Sequence, residues 1–407
     1  MKGIVNKYNQ ISLIIRIVIG MIIGAGLALL APSASVIGIL GSLFVGALKA
    51  IAPVLVFFIV MSSLASASSN IGKQFRTVIL LYIVNTFLGA ALAVLFAFVF
   101  PTTLTLATGQ EAVSAPSGIG EVLSTLLNNI VANPINAIAN GNYLGILFWA
   151  VIMGLALKAI KAEKTIGMIS DLSDAVSHAV RWVINVAPFG IMGLVFTSVS
   201  ENGLSIFVDY GRIVAVLVGC MAAMVLVVLP AMVALVARIN PYPLVLKCLK
   251  ESGVTAFFTR SSAANIPVNM DLCERLGLTK DFYSVSIPLG ATINMNGASI
   301  TITILTLAAT QTLGIHVDIP TAILLSVLAT ASACGASGVA GGSLLLIPLA
   351  CSLFGIPGDI AMQVVGVGFI IGVIQDSCET ALNSSGDVVL AATAEYYHRR
   401  KEAKKAA

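Results

Sequence analysis

The stretch Ile371–Ala392, IGVIQDSCETALNSSGDVVLAA, decides how the rest of the chain is read. Its flanks are apolar enough for a bilayer, yet its middle carries Asp376, Glu379, Thr380, Asn383 and Asp387. These recur at spacings of three, four and four. On a helix of about 3.6 residues per turn they fall on one stripe, with Val373, Ala381, Leu382 and Val389 facing elsewhere. A carboxylate near the bilayer centre costs on the order of 2.5–3.5 kcal/mol even on a lenient scale. Three on one face therefore call for a cation, a partner charge or a water-filled site. A soluble amphipathic helix would show the same stripe, but the surrounding chain is membrane-like.

The 407 residues are 58% hydrophobic and 10% charged, whereas soluble domains carry about 25% charged residues. A soluble chain this apolar would have no polar surface to show water, so the reading is an all-α polytopic membrane protein. The net charge of +4 is small and sits at the loops, which gives no nucleic-acid footprint. The six cysteines are scattered without a CxxC pair and read as small buried hydrophobes rather than a disulfide or zinc framework. With His178, His316 and His398 as the histidines, no metal-ligating constellation is expected. Lys2 and Lys7 before an apolar run at 11–31 resemble a signal peptide. The run of about 20 residues exceeds an h-region of about 7–15, and it is read as a retained first helix.

Apolar segments then follow in series: 35–68 with Pro53 inside it, expected to tilt or bend; 76–100; 123–160, broken at Asn133-Pro134 and Asn140-Gly141; 168–198; and 205–238. Basic residues alternate from loop to loop: Lys2 and Lys7, Lys73 and Arg76, Lys158 to Lys164, Arg238 to Lys250, and Arg399 to Lys405. The intervening loops carry Glu111, Glu121, Glu201 and Asp209 instead. The positive-inside rule places both termini in the cytoplasm. Lys49 reads as a snorkelling residue.

After residue 240 the pattern changes. Segments 241–276 and 319–357 are each two short apolar arms around a polar tip: Thr259-Arg260-Ser261-Ser262 in the first, Cys334 to Ser343 in the second. Each tip is followed by Ile-Pro, at 266–267 and 347–348. The arms are too short to span about 30 Å as helices, and interrupted segments in corresponding places point to an inverted-repeat transporter. Arg275 and Lys280 put the base of the first in the cytoplasm, and Asp318 and Asp359 put that of the second outside. Between them, 281–314 is apolar except for Asn294-Met295-Asn296-Gly297. This is either an unwound stretch lining a cavity or a helix with buried amides bonded to its neighbours. Freed carbonyls with Asp387 and Asn383 suit sodium; Asp376 suits an ammonium; Ser261 and Ser262 suit a small polar ligand. Arg260 at a membrane tip needs a partner, and Asp376 and Glu379 are the candidates for a structural pair. Gly335-Ala336-Ser337-Gly338 matches the Gly-x-Ser-Gly of rhomboid proteases, but the only later histidine, His398, sits in the basic tail and cannot serve as base.

At these residues the chain resembles the dicarboxylate/amino acid:cation symporters, the glutamate-transporter family. Thr259–Ser262 is similar to that family's serine-rich first tip, Asn294–Gly297 to its Asn-Met-Asp-Gly-Thr motif, Gly338–Gly342 to its second tip, and Asp376–Asp387 to its last helix. The resemblance implies eight transmembrane helices, two re-entrant hairpins, a homotrimer and an elevator motion. It implies scaffold helices at 1–72 and 102–200, a third helix of the transport domain at 73–101, and the remaining transport domain at 201–407. That last part would hold helix six, hairpins 241–276 and 319–357, helix seven at 281–314, helix eight at 358–395 and a basic tail. By the same resemblance Asp376 binds a substrate ammonium, and Asn383, Ser262 and Thr380 its carboxylate or side chain. Ser261, Ala298, Ser343 and Glu379 complete that site, and Val339 gates it. Gly290, Asn294, Asn383 and Asp387 hold one sodium ion, and Thr292, Met295 and hairpin backbone another.

The departures are informative. Glu379 stands where glutamate carriers have arginine, which argues for a neutral amino acid. Asn296 replaces the motif's aspartate and Ala298 its threonine, which argues for fewer coupled ions; a role for Asn85 and Thr86 is open. The expected activity is sodium-driven import of serine and threonine across a bacterial inner membrane. Another small neutral or dicarboxylic amino acid, or proton coupling, is the alternative. An enzyme would need a nucleophile–base pair that the chain does not offer.

Overall fold

The computed structural model describes residues 11–66, 73–106, 131–334 and 341–406. Among the described residues the regular structure is helical, with no strand. Helix α1 (Leu13–Leu30) is followed by α2 (Gly38–Ser66), which runs through Pro53 as one helix, and by α3 (Lys73–Val99). The fourth apolar segment is in pieces as expected. Asn133 caps α4 (Pro134–Asn140) by accepting from the N–H groups of Ile135 and Asn136 at 2.9 and 3.3 Å, and Gly141 closes it in a left-handed conformation before α5 (Tyr143–Ala159).

The segment expected as one helix at 168–198 is two: α6 (Glu163–Asn185) and α7 (Ala187–Asn202), parted at Val186. Pro188 explains the break. It has no N–H, and its ring clashes with a helical carbonyl four residues earlier, so it starts α7 rather than continuing α6. Helix α6 also turns Asp171, Asp174, His178 and Arg181 to the outside. Helix α1 crosses α7 at close range: a Cβ on Gly20 or Gly24 would lie 2.3 Å from Pro188 O or 2.4 Å from Met192 O.

The sixth segment comprises α8 (Ile206–Ala223), a π-helical turn (Met224–Val228) and α9 (Leu229–Val236). Pro230 leaves the carbonyl four residues back without its helical donor, and Tyr242 Oη supplies one to Leu226 O at 3.4 Å. Two arms follow: α10 (Tyr242–Cys248), a π turn and α11 (Val254–Thr259), then α12 (Ser262–Arg275). The seventh segment is α13 (Lys280–Ile293) and α14 (Asn296–Thr312), interrupted at Asn294 and Met295 where the unwound stretch was expected. Helix α15 (Ile319–Ala333), capped by Asp318 through Thr321 N–H at 2.8 Å, and α16 (Ile347–Ser352) are the arms of the second interrupted segment.

The last helix, α17 (Gly358–Ala406), does not stop near 395 but runs on through the basic tail. Tertiary hydrogen bonds hold its extension. Glu395 accepts from Thr279 N–H at 2.9 and 3.0 Å, Arg399 donates to Gly277 O at 2.6 Å, and Arg400 donates to Ala237 O at 3.0 Å. Thr77 Oγ1 and His398 Nε2 lie 2.8 Å apart. One turn of α17 thus fastens the ends of α9 and α12 and the beginnings of α3 and α13.

Five helical stretches among the described residues are long and apolar enough to cross a membrane: Ser35–Ser66, Gln74–Val99, Ala187–Val236, Lys280–Thr312 and Gly358–Ala403. The outer surface carries exposed Ile22, Leu43, Leu80, Val227 and Phe258, while Asn85, Asn294, Asn296, Gln375 and Asp387 are buried. Apolar outside and polar inside is the arrangement of a protein whose solvent is lipid.

Candidate functional site

Four elements meet where the polar residues were expected: the tip between α11 and α12, the α13–α14 interruption, the start of the second tip's return, and the middle of α17. At the first tip Arg260 ends α11 with φ 52°, a left-handed conformation that turns the chain sharply. Its Nε lies 2.6 Å from Asp376 Oδ2, and both side chains are largely buried. The pair anticipated for Arg260 is therefore formed with Asp376, whose other oxygen accepts from Gly341 N–H at 3.2 Å. Ser261 caps α12 by accepting from Ala264 N–H at 3.2 Å, so its hydroxyl is engaged by the helix, whereas Ser262 is buried beside it.

Glu379 points to the other side of the stripe. Its Oε2 accepts from Ser343 Oγ at 2.9 Å, from Thr301 Oγ1 at 2.8 Å and from Gln375 Nε2. Ser343 thereby ties the return of the second tip to α17. Thr380 spends its hydroxyl on Asp376 O at 2.7 Å. Ala298 is fully buried in the first turn of α14. Val339 lies outside the described residues.

The α13–α14 interruption leans on α17 one turn further along. Asn383 Oδ1 accepts from Gly297 N–H at 2.7 Å, and its Nδ2 lies 3.5 Å from Met295 Sδ. Asn294 Nδ2 donates to Asp387 Oδ1 at 2.9 Å and to Asn383 O at 3.1 Å. Asp387 Oδ2 is buried and has no hydrogen-bond partner among the described residues. A lone carboxylate oxygen beside an interrupted helix could hold a monovalent cation, with carbonyls freed by the interruption as further oxygen ligands. Thr292 is set back, its hydroxyl bonded to Leu289 O at 2.7 Å. Gly290 is packed against the carboxylate itself. A Cβ there would stand 2.8 Å from Asp387 Oδ1 and 2.9 Å from Tyr82 Oη. Gly290→Ala is expected to destabilise the protein by about 1–3 kcal/mol through this overlap, although alanine is the better helix former by about 1 kcal/mol. Thermal melts in detergent measure it, and a rise in melting temperature would contradict it.

Several contributors were not read from the sequence. Thr301 and Gln375 hold Glu379, and Gln375, one turn before Glu379 in an apolar flank, was the available signal. Tyr82 Oη donates to Ser286 O at 3.1 Å and to Asp387 O at 3.2 Å, which joins α3 to both halves of the cation region. A buried cluster of Ser252, Asn265, Asn269 and Ser384 pins both arms of the first tip to α17.

An interrupted helix, a hairpin-like tip and an acidic last helix converging inside an apolar shell point to a membrane carrier. The chain belongs to the sodium:dicarboxylate symporter family, whose profile matches residues 13–396. Two similar proteins show the branch of the family that it resembles. One from Bifidobacterium adolescentis, named serine/threonine transporter SstT, is 62% identical over 396 residues, covering 97% of this chain and 92% of that one. One of the same name from Streptococcus agalactiae serotype III is 61% identical over 396 residues, covering 97% of this chain and 98% of that one.

Proposed function

We propose that the protein is a sodium-coupled symporter importing L-serine and L-threonine across a bacterial inner membrane, with both termini in the cytoplasm. The observation that carries this reading is the pairing of two distinct buried acids on α17: Asp376 engaged by a cation of the protein, Arg260, and Asp387 with an oxygen unengaged. Asp376 takes the substrate ammonium, its carboxylate either shared with Arg260 or released by it. Ser262, Thr380 and Asn383 take the carboxylate and side-chain hydroxyl, with Ser261, Ala298, Ser343 and Glu379 around them and Val339 in the covering tip. Asp387 takes sodium, with carbonyls of the interruption near Gly290 and Asn294. Thr292, Met295 and backbone of the second tip remain the candidates for a further ion.

Asn383 is the link between the two sites. Its backbone oxygen holds Asn294 beside the cation, and its side chain holds Gly297 beside the substrate, so ordering either site orders the other. Such coupling is reciprocal: sodium tightens serine binding by the same factor as serine tightens sodium binding. The sodium ion also neutralises Asp387, as Arg260 does Asp376, which lowers the cost of carrying these acids through the bilayer.

The architecture that goes with this reading has eight spans and two re-entrant hairpins at 241–276 and 319–357. Scaffold helices lie at 1–72 and 102–200, and the moving domain at 73–101 and 201–407. The assembly is a homotrimer in which that domain slides as an elevator. The test is uptake of labelled amino acids into proteoliposomes under an imposed sodium gradient. Saturable, sodium-dependent accumulation of serine and threonine supports the reading; conductance without accumulation would mean a channel, and accumulation under a proton gradient alone would move the coupling to protons.

Glu379 supplies the selection against acidic substrates, since a like charge in a poorly screened site repels a substrate carboxylate. Glu379→Arg is expected to lower the aspartate concentration that half-inhibits serine uptake by about tenfold or more, a change of about 1.4 kcal/mol. An unmoved competition curve would assign selectivity elsewhere.

A further inference from the structure

The orientation of Asn294 is dictated by its neighbours. Asn383 O, a backbone carbonyl, can only accept from Asn294 Nδ2, as does the ionised Asp387 Oδ1 that takes a cation. The amide must therefore turn its nitrogen to α17 and its oxygen to α3. Whatever meets that oxygen must donate, and Asn85 Nδ2 does so at 2.7 Å. The directions of both amides follow from the carboxylate outward, with no freedom to flip either one. Asn85 is fully buried, and its own oxygen has no hydrogen-bond partner among the described residues. Among them the donor end is thus the polar service that its side chain performs. A buried amide kept with one end unsatisfied is costly as packing material. The next residue, Thr86, fastens the same place: its hydroxyl accepts from Met295 N–H at 3.1 Å and lies 2.9 Å from Tyr82 O.

We infer that Asn85 is a positioning residue for cation binding, acting through Asn294. This rests on the sodium reading above and refines it. By engaging Asn294 Oδ1, Asn85 removes that oxygen from the ion's shell and commits Asn294 to donating towards Asp387. The ion is then left Asp387 Oδ2 and backbone carbonyls. Asn85 does not touch the substrate, so its loss weakens sodium binding and spares the substrate site at saturating sodium.

The test uses the purified full chain and two variants, Asn85→Leu, which keeps the branched outline without polar atoms, and Asn85→Ala. Sodium chloride is titrated against choline chloride at constant ionic strength. One readout is the sodium-dependent rise in melting temperature in detergent, and the other is serine uptake in proteoliposomes. Removing an outer partner of a metal ligand weakens metal binding by roughly 10–100-fold. The sodium concentration for half-maximal stabilisation is expected to rise by that factor in both variants, with the half-saturating serine concentration at saturating sodium within about twofold of the unaltered protein. A purely packing role would spare Asn85→Leu and would not move the sodium requirement of either variant. Where Asn85→Leu fails to insert, Asn85→Ala gives the same readout. An unmoved sodium titration overturns the assignment while leaving the sodium reading in place. No sodium-dependent stabilisation of the unaltered protein overturns both.

Discussion

Asp387→Asn is expected to remove the response to sodium while leaving the protein at least as stable as before. The reason is Oδ2, buried with no hydrogen-bond partner among the described residues. Without a cation, that oxygen carries charge in a low-dielectric interior at a cost; with one, it becomes the only full negative charge the ion meets there. Asparagine has nearly the same shape and keeps an oxygen for Asn294 Nδ2, now 2.9 Å from Oδ1. The ion-free variant therefore loses a penalty rather than a contact. Breaking a buried charge pair from one side costs about 3–5 kcal/mol, more than about two orders of magnitude in affinity. The sodium concentration for half-maximal serine uptake should rise at least about 100-fold, and the sodium-dependent rise in melting temperature should vanish. A sodium titration that superimposes on that of the unaltered protein would rule Asp387 out as an ion ligand.

Asp376→Asn is expected to abolish uptake with membrane insertion intact. Here the stability change has the opposite sign. Arg260 lies 2.6 Å from Asp376 with 11% of its side chain exposed, and losing the carboxylate strands a guanidinium at a cost of about 3–5 kcal/mol. Lost transport alone would not separate substrate binding from damage to the tip. Adding Arg260→Ala to the first substitution does, because the double variant buries no unpaired charge. Its melting temperature should recover, and its uptake should not, since the substrate ammonium still lacks a partner. Recovery of transport in the double variant would show that Asp376 serves only to restrain Arg260.

The polar features of the site were legible because polar groups in an apolar chain are rare and expensive. Asn294 and Asn296 announced the interruption, and Arg260 announced a carboxylate partner before any geometry was known. What escaped the sequence was direction. Tyr82 and Asn85 sit in an ordinary apolar segment 204 to 305 residues before their partners, and no local periodicity points them at Ser286, Asn294 or Asp387. A threonine in a helix can satisfy itself on a carbonyl four residues back, as Thr380 does, so nothing local marked Thr301 as a partner of Glu379. The division of 168–198 was signalled by Pro188, but its apolar surroundings outweighed it. The extension of α17 was missed for a different reason. A cluster of arginines and lysines reads as a solvated tail, and only the carbonyl ends of other segments, invisible in one dimension, show why it stays helical.

That extension has a consequence for how the protein is made. Arg400 follows Thr279 by 121 residues, and at translation rates of about 5–20 residues per second roughly 6–24 s separate their synthesis. Throughout that interval Ala237 O, Gly277 O and the Thr279 amide must rely on water or on transient partners. The rim where four segments are fastened is closed last, by a turn made after everything it holds. Nascent chains arrested just short of residue 395 should therefore be cut by protease at 237–241 and 276–280, and chains arrested once residue 406 has cleared the ribosome should resist at both places.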